Sequence, residues 1–135
     1  NLDDEERDIA MKTIERIEDR VNKAHDEAIG ILTIWCNSYV SNIKNKKGSS
    51  PSDEPEDSYI GKISVIIHHF DEERLKISRT IRTSFEWILL AYDERFTGVR
   101  RAVNLDKLLD DFVINDVENF SQIFVNRTRL MAGIY

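Results

Sequence analysis

Residues 10–35, AMKTIERIEDRVNKAHDEAIGILTIW, decide the fold. Ala10, Ile14, Ile17, Val21, Ala24, Ala28, Ile31 and Trp35 follow one another at alternating steps of four and three residues. That spacing turns one face of an α-helix towards a partner helix, whereas a strand would alternate apolar and polar residues. The three alanines leave room for a neighbour to come close. Asp3, with Glu6 three residues on, reads as a capping box that opens the helix. Gly30 inside it costs about 1 kcal/mol against alanine, which predicts a close helix crossing at that point. From Ile29 a second apolar row begins, Leu32, Cys36, Val40 and Ile43, so the end of the helix should be nearly enveloped. Unbroken to Lys46, the helix would be roughly 65 Å long.

Working outward, residues 44–58 (KNKKGSSPSDEPEDS) hold both prolines and no apolar side chain, and read as a flexible loop over about 47–58. A second helix over 59–96 takes its seam from Ile60, Ile63, Ile67, Phe70, Ile77, Ile81, Ile88 and Ala91. At roughly 57 Å it nearly matches the first helix, as an antiparallel hairpin requires. Gly98 is placed to end it. A shorter helix is expected from Asn104 to about Ile114, burying Leu105, Leu108, Leu109 and Phe112. Asn115, with Glu118 three residues later, reads as the cap of a last helix with a stripe of Val117, Phe120, Phe124, Met131 and Ile134. The expected architecture is a single all-α domain over 1–135: a helical bundle built on a long antiparallel hairpin plus two further helices.

Composition agrees. Of 135 residues, 41% are hydrophobic and 33% charged, a profile of a helix-rich folded domain. The net charge of −6 argues against a general nucleic-acid coat. Cys36 is the single cysteine, so no internal disulfide can form and a cytoplasmic setting is expected. The most apolar run, residues 28–40, is too short to span a bilayer. No Gly-rich phosphate loop is present. Cys36 beside Trp35 in an apolar segment reads as an inert thiol.

His69 and Glu73, one helical turn apart in His69-Phe70-Asp71-Glu72-Glu73, resemble the His-Phe-x-x-Glu element of hemerythrins, with His25 on the preceding helix. No histidine follows His69, although that family draws further ligands from later helices, so no metal and no cofactor are expected. Arg74, Lys76, Arg79 and Arg82 form a basic run, continued by Arg95, Arg100 and Arg101. Arg79 and Arg82, with Arg129, are the candidate contacts to RNA phosphates.

The last helix carries Arg127 between Phe124 and Met131, on what should be its buried stripe. Residues 127–135, RTRLMAGIY, resemble the Arg-Asn-x-x-x-His-Gly signature of the HEPN superfamily, all-α bundles that include metal-independent ribonucleases of toxin and phage-defence systems. The resemblance assigns Arg127 to the family arginine, Thr128 to the asparagine, Ala132 to the catalytic histidine and Gly133 to the glycine. With alanine in place of the histidine, the implied scaffold would be inactive as written.

Two function classes follow. One is a non-enzymatic helical module for protein association, with itself or another protein as partner, through Ile14, Ile17 and Val21. On that reading the first ~20 residues project from the bundle until a partner covers this seam, since an exposed apolar seam is a liability in a monomer. The other is the HEPN-like scaffold that binds RNA.

Overall fold

In the computed structural model, residues 2–47, 56–95 and 101–134 are described. Every element among them is helical: α1 (Asp4–Lys47), α2 (Glu56–Arg95), α3 (Arg101–Asp111), a π-helical turn (Phe112–Val117) and α4 (Glu118–Ile134). The all-α bundle is therefore as expected, including the two long arms of the hairpin. The flexible loop expected over 47–58 and the stop at Gly98 lie largely outside the described residues, and α1 and α2 each reach further towards the loop than the sequence suggested.

The capping box opens α1 as predicted. The Glu6 amide donates to Asp3 Oδ1 at 2.8 Å, and the Asp3 amide donates to Glu6 Oε1 at 3.4 Å. Two of the helix's orphaned donors are thereby satisfied.

The C-terminal half departs from expectation. Asn104 lies inside α3 and Asn115 lies inside the π turn, so neither begins a helix. Residues 101–134 form one continuous helical path. The reason is visible in the spacing of the buried residues: Leu105, Leu109 and Phe112 step by four and three, then Val117 follows after five, then Ser121, Phe124 and Thr128 resume the α period. A regular α-helix would carry Asn115 or Asp116 into the core after Phe112. The wider π turn passes over Ile114, Asn115 and Asp116, leaves them exposed, and brings Val117 back to the buried side. The Glu118 amide, bonded to the Val113 carbonyl, closes that wider turn.

Pairwise contacts fix the topology. Arg16 meets Asp110, Arg20 meets Glu118 and Glu27 meets Arg129, so α1 and the C-terminal helix run parallel. Phe85 packs near Phe112 while Phe70 packs on Phe124, so α2 runs antiparallel to both. α1 packs chiefly on α4 and α3, α2 packs on α4, and α1 approaches α2 at few places. The three helices thus pack around one core, with α1 and α2 less closely packed on each other than either is on the C-terminal helix.

Burial corrects four expectations. The start of α1 does not project: Glu6, Ala10 and Thr13 are buried, and α3 lies alongside. Its far end is not enveloped, because Ile29, Ile34 and Val40 are exposed and Cys36 is only half-buried. Near the start of α2 Ile66 is buried while Ile60 and Ile67 face solvent, although Phe70, Ile77 and Ile81 are buried as expected. Finally, Gly30 is exposed, and a methyl group built there would meet nothing within 4 Å, so no helix crosses at that point. Gly30→Ala is accordingly expected to raise stability by up to about 1 kcal/mol, because alanine loses less backbone entropy in a helix; urea unfolding followed by circular dichroism measures it.

Candidate protein-docking groove

Between α1 and α2 runs a groove that reaches α4 at Ser121 and Phe124. Its broad part, about 570 Å³, has Ile14, Ile17 and Val21 on the α1 wall and Ile81, Phe85 and Leu89 on the α2 wall. The three α1 residues named from sequence as an interaction seam thus come together, half-buried, on one side of a single apolar trough. Glu18, Arg82 and Glu86 edge it, with Arg82 Nε lying 3.6 Å from Glu86 Oε1. The helical period extends both walls beyond this trough. Ile29, Cys36 and Val40 continue the α1 row that includes Glu18, Val21 and His25, and Ile67 and Ile60 continue the α2 row that includes Arg74 and Ser78. Ile60 at 57% and Ile67 at 47% relative exposure are accessible to a partner.

Beyond the trough the groove narrows to a waist where polar side chains join apolar ones such as Ala24 and Ile77. A cavity of about 200 Å³ is lined there by Asn22 and His25 from α1, Arg74 and Ser78 from α2, and Ser121 from α4. The His25 ring stacks on Phe70, with centroids 5.6 Å apart, which orients the imidazole. Ser121 is only 1% exposed, and its Oγ, itself closed off from solvent, has no hydrogen-bond partner among the described residues. A buried hydroxyl left unmatched is costly, and such groups are uncommon in folded proteins.

The residues suggested by the family resemblances sit elsewhere. Arg127 is not on the buried stripe. Its side chain is 46% exposed at the α2/α4 edge, where Nη1 donates to Glu73 Oε2 at 2.8 Å. Thr128 is fully buried and donates its hydroxyl to the Phe124 carbonyl, the ordinary use of a threonine inside a helix. Ala132 is half-buried, and Gly133 is exposed. Arg129 points to the opposite flank of α4 and donates to Glu27 at 3.1 Å. Arg79 and Arg82 are exposed on α2. These three candidate phosphate contacts therefore do not converge on one patch. The hemerythrin-like residues are engaged separately: Glu73 holds Arg127, His69 is exposed, and His25 stacks on Phe70. Among the described residues no three histidine, cysteine or carboxylate side chains cluster as metal ligands would. Burial pushes the Cys36 thiol up, away from the range of a reactive nucleophile. No described helix is long and apolar enough to cross a membrane.

Comparison of the chain with protein-family models, curated proteins and solved structures returned no match.

The α1 wall of the groove is held by Arg20, which grips Glu118 with two hydrogen bonds, Nε to Oε2 and, at 2.8 Å, Nη2 to Oε1. The bond from Arg20 holds the Glu118 carboxyl below the usual carboxylate range, and the bond to Glu118 holds the guanidinium above its own. Because the folded-state value of Glu118 is lowered, its contribution is present above the ordinary carboxylate range. It is lost as the pH falls through the lowered value. Glu118→Gln should therefore be less stable than the parent by about 0.5 kcal/mol at neutral pH, given the half-exposed carboxylate. The gap should close on acidification, as read by urea unfolding over a pH series.

Proposed function

We propose that this chain is a non-enzymatic helical module for protein association, and that it associates by seating a helix between α1 and α2. The observation that carries this reading is the apolar trough between α1 and α2, into which Ile14, Ile17 and Val21 face Ile81, Phe85 and Leu89. An amphipathic helix laid in such a groove buries residues at i, i+3, i+4 and i+7 along its contact face, a standard mode of helix recognition.

Sedimentation equilibrium of the whole chain tests this reading together with a fluorescence-anisotropy titration of a labelled amphipathic peptide carrying leucine along one face. At least one should report association, and Ile17→Glu should abolish it while helix content by circular dichroism is unchanged. A strict monomer that binds no such peptide removes the reading.

The HEPN-like RNA-binding or ribonuclease scaffold is a second, separate proposal, favoured by the half-exposed guanidinium of Arg127 on the last helix. It requires Arg127 to leave Glu73 for a phosphate. Under it, Ala132→His confers RNA cleavage in the absence of metal, and no cleavage by that variant refutes it.

A further inference from the structure

The groove is not uniformly apolar, and its waist specifies what fills it. We propose that the occupant is an amphipathic helix of a different protein, apolar along its seated face except for one Asp or Glu near mid-length, whose carboxylate is received at the waist by Arg74 and His25. This rests on the association reading above and names the partner's chemistry.

Three observations carry it. First, the waist offers donors in excess. Arg74 supplies a guanidinium at the mouth of the cavity and has no ion-pair partner among the described residues. His25 supplies an imidazole fixed by Phe70, and Asn22 and Ser78 supply an amide and a hydroxyl. A carboxylate accepts from all four group types, and its bonds to a charged donor are the stronger kind. Second, the cavity belongs to the groove itself, since Val21, Asn22 and Ser78 line both it and the broad trough. Third, the waist has apolar walls on both sides, Val21 and Ile81 towards one end, Ile29 and Ile67 towards the other. A single polar position within an otherwise apolar contact fixes the register of a packed helix, as one polar residue does in a coiled coil.

The same pattern argues for a different protein rather than a second copy. The chain's own exposed large apolar residues outside the groove, such as Ile34, Trp87, Leu90, Val103, Ile114 and Leu130, lie on separate elements. Among the described residues they form no stripe longer than the Trp87–Leu90 pair, so the chain does not present the helix that its groove fits. The net charge of −6 also disfavours bringing two copies together.

The test uses the whole chain and three labelled amphipathic peptides, identical except for Glu, Gln or Lys at the centre of the leucine face. The Glu peptide should bind about tenfold more tightly than the Lys peptide, the scale of one charge-assisted hydrogen bond. Arg74→Ala should erase that preference while leaving the Gln peptide unchanged. Equal binding of all three peptides, lost in Ile17→Glu, overturns this inference and leaves the association reading standing. Binding of none overturns the inference as well, and with a strictly monomeric chain it removes the association reading too. A dimer that Ile17→Glu dissolves makes the occupant a second copy, which overturns the inference but not the association.

Discussion

The parallel packing of α1 on the C-terminal helix is the constraint on which the rest depends. It works because both helices bury small side chains: Ala24 and Ala28 from one, Ser121, Val125 and Thr128 from the other, all nearly or fully inaccessible. Two helices that run in the same direction cannot be joined by a short turn. The chain must travel back along their length, and α2 is that return. Once α1 holds one flank of α4, α2 takes another, and the two arms of the hairpin are left facing across a gap. The groove is a consequence of this order of preference. Cross-helix ion pairs at Arg16, Arg20 and Arg129 follow the seam and set its register, but they lie at the surface, where each contributes little energy.

Much of this was legible in the sequence, up to a limit with a clear physical origin. Apolar spacing shows which face of a helix is buried and is silent about what buries it. The alanines of α1 announced a close neighbour, yet the neighbour is α4, not the hairpin arm that follows in sequence. The far end of α1 is rich in apolar residues, which suggested envelopment, but composition cannot reveal that Ile29, Ile34 and Val40 stay exposed. The π turn shows the limit from another side. A step of five between Phe112 and Val117 is unusual, and two polar residues inside it looked like a helix stop with a new cap. Packing on α1 kept the chain helical instead, and the extra residue was absorbed by widening one turn.

The candidate site was half visible for the same reason. Ile14, Ile17 and Val21 could be picked out because an apolar row longer than its own core requires needs something to cover it. The waist could not be picked out. Asn22, His25, Arg74, Ser78 and Ser121 come from three helices and follow no motif, and each residue alone reads as an ordinary surface or helix position. What joins them is the topology. Arg127 illustrates the converse: its sequence context suggested a charge on a buried stripe, whereas a small turn of α4 puts Thr128 and Val125 inside and leaves the guanidinium at the edge with Glu73.

Why the groove can stay open in the free chain is a matter of magnitudes. Its lining side chains are half-buried rather than fully exposed, so each forgoes only part of the roughly 1.5–3 kcal/mol that complete burial of a large apolar side chain provides. Spread over two walls this is tolerable, because the α1–α4 seam and the Phe70, Phe124, Phe85 and Phe112 contacts already secure the three-helix core. A helix seated as proposed would recover the forgone burial. Apolar burial has little directional preference, however, and a helix could slide in a trough of uniform character by whole turns. On that proposal the waist removes the freedom, since a displaced register would press a leucine against Arg74. Affinity would then come from the apolar walls and register from the waist, and the two are set by different residues.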